Sequence, residues 1–189
     1  MNSYRTKSIN LAVKKLILCC FIFLYLQPTF SQDKTVETSG DILLFALPAA
    51  ALGATFIAGD AKGTWQFTKG FLTNTAVTMA LKLVIDKQRP NMENNNAFPS
   101  GHTSTTFQSA SFIQRRYGWK YGIPAYILSS YTGFTRLNAD KHDIVDIVAG
   151  AVVGIGSTYL FTTPYQQEHM ALSFGKTDDT FLIGFKFKF

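Results

Sequence analysis

The chain has 189 residues, enough for one domain with a small appendage. Hydrophobic residues make up 47% and charged residues only 16%, which excludes a disordered or coiled-coil chain and leaves a soluble helical protein or a small membrane protein. The net charge of +6 is not a nucleic-acid footprint: of the 18 basic residues, Arg5, Lys7, Lys14 and Lys15 precede residue 32, no acidic residue does, and the remainder is close to balance.

In chain order, Lys14 and Lys15 precede an apolar run, Leu16 to Leu26, which Gln27 and Pro28 end. A basic start, an 11-residue apolar run and small residues around Phe30 match the order of a secretory signal peptide, with cleavage after Ser31. The alternative is an uncleaved first membrane helix. The lysines favour a cytoplasmic N-terminus and export of the chain beyond the apolar run. Cys19 and Cys20 are the only cysteines, so the rest of the chain can form neither a disulfide nor a thiolate metal site.

Residues 32–40 are polar and read as a linker. Five helices are expected between 41 and 161: Ile42 to Ala58, Phe71 to Ile85, His102 to Tyr117, Tyr121 to Thr135, and Asp143 to Phe161. Hydrophobicity alone does not separate lipid from a protein core as their surroundings. Residues 164–189 form a tail. In it, Met170 to Phe174, a turn over Gly175 to Asp179, and Thr180 to Phe189 read as a β-hairpin, with Phe181, Ile183, Phe185, Phe187 and Phe189 on one face. The alternation resembles the last strand of outer-membrane barrels, but two strands cannot close a barrel. A hairpin packed on the helices is the simpler expectation.

Three clusters carry the polar residues that an apolar chain would avoid. Lys82 and Arg89 are seven apart, two helical turns, so they share a face if the helix runs that far; Pro90 biases Arg89 away from helical geometry. Ser100 is a good N-cap, and Gly101 allows close backbone approach at a helix start that favours phosphate. His102 stands beside it. His142 and Asp146 are four apart, and a carboxylate there can orient an imidazole as nucleophile or base. Each cluster alone has a plain structural reading: solvated cations, a capped helix, a surface ion pair. Together with Arg136 they make a dianion site with a nucleophile and an acid, a set suited to phosphoryl transfer without metal. No acidic cluster is present to hold two divalent ions.

The order Lys-x6-Arg-Pro, Pro-Ser-Gly-His, Arg-x5-His-x3-Asp resembles the type 2 phosphatidic acid phosphatase (PAP2) superfamily, which includes class A acid phosphatases and vanadium haloperoxidases. Ten fixed positions match over residues 41–163; the family's Ser before the last Arg is Thr135 here, which keeps the hydroxyl. Asn91 to Phe98 is a short loop for the family and leaves little room for a cap domain.

The resemblance implies an all-α bundle of about five core helices, membrane-associated, followed by the hairpin. It implies that His142 attacks phosphorus, that Asp146 orients His142, and that His102 protonates the leaving alkoxide and then activates water. Lys82, Arg89, Ser100, Gly101 and Arg136 would bind phosphate, with no cofactor and no metal. The expected substrate is a lipid phosphate monoester or diphosphate, reached at the periplasmic face of the inner membrane, with outer-membrane association a lesser alternative. A soluble periplasmic acid phosphatase, a vanadium haloperoxidase and a non-catalytic binder of phosphate headgroups are the other readings. Retention of both histidines and Asp146 argues against the last, since binding needs only the cations. Oligomeric state and the identity of the phosphate substrate are not legible.

Overall fold

The computed structural model describes residues 34–165, 170–177 and 180–187. The segment read as a signal peptide, residues 1–31, lies outside them. Five helices succeed one another: α1 (Lys34–Ile57), α2 (Ala61–Val84), α3 (Gly101–Tyr117), α4 (Trp119–Asn138) and α5 (Ile144–Phe161). Strands β1 (Met170–Thr177) and β2 (Thr180–Phe187) pair antiparallel, with Thr177 opposite Thr180 and Met170 opposite Phe187.

Two helices are longer than their apolar patterns suggest. The polar stretch read as a linker is helical from Lys34, so Glu37 and Asp41 stand on the first turns of α1. Helix α2 begins at Ala61, ten residues before the expected start. Asp60 caps it by accepting the Gly63 N–H at 2.8 Å, and its carboxylate is otherwise committed to Arg116. In the hairpin, Gly175 to Thr177, read as turn, continue β1.

Helix α3 is the axis of the bundle and packs on all four other helices. It is also the most polar of them: Thr103, Ser104, Thr106, Gln108, Ser109 and Ser111 are all buried. Their hydroxyls are largely satisfied locally, as when Thr106 donates to the His102 carbonyl at 2.9 Å, or across helices, as when Ser104 Oγ accepts from the Thr78 hydroxyl at 3.1 Å. Small side chains let backbones approach. A Cβ at Gly154 would stand 2.2 Å from the Ser104 carbonyl oxygen, and one at Gly150 would stand 2.6 Å from that of Ser100. This small-x3-small spacing on α5 is how helices pack closely in lipid.

The large apolar side chains point the other way. Phe45, Phe56, Leu72, Met79, Ile127 and Val152 are exposed, while the buried apolar set is small, built around Leu47, Phe67 and Phe112. Helices α1 and α5 are long and apolar enough to cross a membrane, and little of either is buried inside the bundle. Gly118, at φ 94°, makes the one-residue corner between α3 and α4.

At the end remote from the α3 N-terminus, Arg116 is fully buried. It donates to Asp60 through Nε at 2.7 Å and Nη2 at 2.6 Å, and to the Thr163 carbonyl at 2.8 Å. Tyr117 adds a hydrogen bond to Asp60 at 3.0 Å. This cluster ties the α1–α2 corner to α3 and to the segment after α5.

Candidate active site

Short connections between antiparallel helices bring the start of α1, the end of α2, the start of α3, the end of α4 and the start of α5 to one end of the bundle. Every residue singled out from the sequence lies there.

Ser100 is the N-cap of α3. It is fully buried, its Oγ accepts from the Thr103 N–H at 3.4 Å, and its own N–H donates to the Asp146 carbonyl at 3.0 Å. That last bond ties the helix start to the His142–Asp146 segment. Gly101 is next, and Lys82 passes over it: its Cε would be 3.9 Å from a Cβ at this position. The Lys82 ammonium donates to the Asn96 carbonyl at 2.6 Å.

Lys82 and Arg89 do not share a helix face. Helix α2 ends at Val84, and the chain turns into a segment in which Arg89 N–H donates to the Asn94 carbonyl at 2.9 Å. The helix has already ended five residues short of Arg89, with Ile85 extended at its C-cap, and Pro90 restricts Arg89 itself. The two cations nevertheless converge, since both act on His142. Arg89 pairs with Glu93 at 3.1 Å, and its buried Nε has no acceptor among the described residues.

His142 and Asp146 are likewise not on one helix face. His142 precedes α5; Asp143 is the N-cap and Asp146 closes a capping box with it, the two carboxylates accepting each other's N–H at 3.1 and 3.0 Å. His142 Nδ1 stands 3.5 Å from Asp146 Oδ2, beyond hydrogen-bond length, and Nδ1 has no partner among the described residues. Asp146 is completely buried and is engaged by a residue outside the sequence reading: Lys87 donates to it at 2.6 Å and to Asp143 at 2.6 Å.

His142 is buried, and burial, followed by the positive charges of Lys82 and Arg89, pushes its imidazole well below the ordinary histidine range, to about 4, with Asp146 opposing. A backbone hydrogen bond at Ala97 also opposes the shift; the net direction favours the neutral ring, the state a nucleophile needs.

Arg136 and His102 form the other half of the site. Arg136 is buried; its Nη2 donates to the Glu37 carbonyl at 2.6 Å and its Nε to Thr135 Oγ1 at 3.1 Å. Thr135 thus performs the role that a Ser hydroxyl could. Asp41 Oδ1 accepts from Arg136 Nη1 at 2.9 Å and lies 2.8 Å from His102 Nε2. Gly40 makes this approach of α1 feasible, because a Cβ there would meet Thr135 Oγ1 at 2.0 Å. Burial and the Arg136 charge lower the His102 imidazole, and Asp41 pushes it back up.

Sequence reasoning thus missed Asp41 and Lys87. Asp41 was visible only as the boundary of an apolar run. Lys87 lies inside the Lys-x6-Arg interval, at a position the spacing leaves free. Among the described residues no three His, Cys, Asp or Glu converge as a metal-ligand set.

A PAP2 superfamily model matches residues 63–170. The chain belongs to the PAP2 superfamily. Lipid A 4'-phosphatase of Helicobacter pylori is 28% identical over 174 residues, 85% of this chain and 87% of that protein. Lipid A 1-phosphatase of Porphyromonas gingivalis is 34% identical over 105 residues, 50% of this chain and 24% of that longer protein. Among solved structures, Aquifex aeolicus LpxE superposes with TM-score 0.58 at 17% identity, over 69% of this chain and 87% of that one. The transmembrane PAP2-type phosphatidylglycerolphosphate phosphatase of Bacillus subtilis superposes with TM-score 0.57 at 18% identity, over 85% and 86%. The five-helix bundle is the PAP2 fold, and the chain is a phosphatase of the PAP2 type.

Proposed function

We propose that this PAP2 protein hydrolyses a lipid phosphate through a phosphohistidine at the periplasmic face of the inner membrane. The observation that carries the reading is the buried His142, 3.5 Å from the Asp146 carboxylate and close to Lys82 and Arg89, at the end of the bundle where α3 begins.

The phosphate is held by Lys82, Arg89 and Arg136, by the Ser100 hydroxyl and by the Gly101 N–H at the start of α3. The unpaired Arg89 Nε is a donor that a phosphate oxygen would satisfy. The His142 nitrogen remote from Asp146 attacks phosphorus, and the bond to the lipid oxygen breaks as His102 gives that oxygen its proton. The Asp146 carboxylate stabilises the positive ring of phosphohistidine. In the second step His102 takes a proton from water, whose oxygen attacks phosphorus; inorganic phosphate leaves and His142 is restored. No step requires a metal: the cations and the helix N-terminus carry the charge stabilisation.

Lipid A phosphates head the candidate substrates, since the Helicobacter lipid A 4'-phosphatase aligns along most of this chain. The outward-facing apolar side chains of α1, α2, α4 and α5 support a bundle set in lipid and disfavour the soluble acid phosphatase, which would leave them in water. The basic residues before the apolar run 16–26 support orientation. Basic residues ahead of an apolar run favour export of the chain that follows it, which supports a site on the periplasmic side.

The test is phosphate release by detergent-solubilised protein in EDTA. It compares p-nitrophenyl phosphate with lipid A phosphates, phosphatidic acid, phosphatidylglycerol phosphate and a polyprenyl diphosphate, with His142→Ala as blank. Preference for one lipid and a silent His142→Ala are expected. Equal turnover of the soluble ester would overturn the lipid assignment. Turnover by His142→Ala would overturn the mechanism, and loss in EDTA restored by a divalent ion would overturn the metal-free site.

A further inference from the structure

Lys87 has no part in the mechanism above, yet it makes two of the shortest ionic contacts at the site. Its ammonium lies 2.6 Å from Asp143 Oδ2 and 2.6 Å from Asp146 Oδ1. Its backbone is fixed: the Lys87 carbonyl accepts from the Ala97 N–H at 3.0 Å, and Lys87 pairs with Asn96, whose own carbonyl takes the Lys82 ammonium. The segment that carries Lys82 and Arg89 toward the phosphate is thus pinned through Lys87 to the N-terminus of α5.

Asp146 has no exposed surface, and a buried carboxylate without a cation is costly. Its oxygens are divided. Oδ1 belongs to Lys87; Oδ2 accepts the Asp143 N–H at 3.1 Å and faces His142 Nδ1 at 3.5 Å. We propose that Lys87 is a positioning residue: clamped between Asp143 and Asp146, its ammonium holds the Asp146 carboxylate back from His142 until phosphorus arrives. Asp146 then closes on the ring only when the ring becomes positive. This inference rests on the reading of His142 as nucleophile.

The charged groups that face His142 are Lys82 from the end of α2, Arg89 from the segment after it, and Asp146 from α5, with Lys87 and Asp143 one contact further out. The positive charges hold the ring deprotonated. Without Lys87 the buried Asp146 loses its contact cation, and a protonated His142, 3.5 Å away, is the group best placed to replace it. The acid limb of the kcat/KM profile, which reports the free base, then moves to higher pH.

The experiment measures Lys87→Met and Lys87→Arg in the detergent-solubilised full chain. The readouts are kcat, KM, inhibition by inorganic phosphate, the pH profile and the melting temperature, with His142→Ala as blank. Lys87→Met is expected to lower kcat by ~10-fold or more, to leave KM and the phosphate inhibition constant within about twofold, and to raise the acid limb by about half a pH unit or more. Lys87→Arg, which can still bridge two carboxylates, is expected to retain the wild-type profile. If Lys87→Met does not fold, Lys87→Gln reads the same quantities.

A parallel rise in KM and in the phosphate inhibition constant would make Lys87 a phosphate ligand and overturn the proposal. So would a loss of kcat that tracks the melting temperature with an unmoved pH profile, which is the behaviour of a merely structural clamp. If His142→Ala retains turnover, the reading of the site fails; if it is silent while Lys87→Met behaves as wild type, the role of Lys87 alone fails.

Discussion

Asp41→Asn tests the half of the site that no motif announced. Asp41 Oδ1 contacts both His102 and Arg136, so the substitution removes one charge from two functional groups and keeps the side-chain size. Two unit charges ~4 Å apart interact by about 4 kcal/mol at an effective dielectric of about 20 and about 1 kcal/mol in water. The Asp41 side chain is 47% exposed, which places the pair near the screened end. About 1.4 kcal/mol corresponds to about one pH unit. The contact sets the sign: Asp41 stabilises the imidazolium, so its removal lets His102 lose its proton at lower pH. In the proposed mechanism His102 acts as the acid and must be protonated, so the alkaline limb of kcat/KM should move about one unit down while the acid limb stays in place. Phosphate inhibition should tighten, because Arg136 loses a carboxylate that competes with phosphate. The assay is the pH dependence of initial rates on a lipid phosphate in detergent. An alkaline limb that stays put or rises would refute the reasoning, and a common shift of both limbs would reduce it to bulk electrostatics.

The packing and the orientation yield three further expected outcomes. Asp60→Ala removes a carboxylate that buried Arg116 engages through two nitrogens, together with the cap of α2, and should lower stability by about 3 kcal/mol or more; a shift of the denaturation midpoint worth under ~1 kcal/mol would contradict this. Burial by itself would raise the Asp60 carboxyl, but Arg116, the Gly63 N–H and Tyr117 outweigh it and hold it below its ordinary value. Its contribution is therefore present above the unfolded-state value and is lost as pH falls through the lower folded one, so the gap between wild type and Asp60→Asn should narrow only in strongly acidic solution. Gly154→Ala places a Cβ against the Ser104 carbonyl oxygen and should cost about 1–3 kcal/mol, read from thermal denaturation; an unchanged melting temperature would mean that α3 and α5 are not in backbone contact. Glu93→Cys, on the loop beside the site, should react with a membrane-impermeant thiol reagent added to the periplasmic side and Lys120→Cys, at the remote corner, should not; the reverse pattern would invert the orientation.

The sequence by itself determined the existence of five helices, the family and the eight candidate residues that the fold gathers at one end. It could do so because phosphoryl transfer needs fixed residue types, and because motif spacing survives whatever backbone carries it. Where the reading used local geometry it was less accurate. Spacing puts Lys82 and Arg89 on one face only if the helix reaches Arg89, and it puts His142 and Asp146 on one helix face; α2 stops at Val84 and α5 starts at Ile144, so each pair is brought together by a loop or a cap. A helical repeat says which residues can meet only while the helix lasts. Hydropathy also misjudged the ends of helices: polar residues 34–40 and 61–70 are helical because Asp60 caps α2 and because Glu37 and Asp41 find partners on α4, facts with no periodic signature.

Only the tertiary structure decided which carboxylates touch the candidate catalytic groups. Asp41 is 95 residues from Arg136 and Lys87 is 59 from Asp146 along the chain. Neither pair has a spacing that one element could encode. They meet because glycines at 40, 150 and 154 let α1 and α5 close on their neighbours, and because α3 presents a small, polar, hydroxyl-rich surface to all of them. Chemistry that recurs is written in residue type and order; the charges that tune it depend on which helices the packing makes adjacent, and packing is a property of the whole chain.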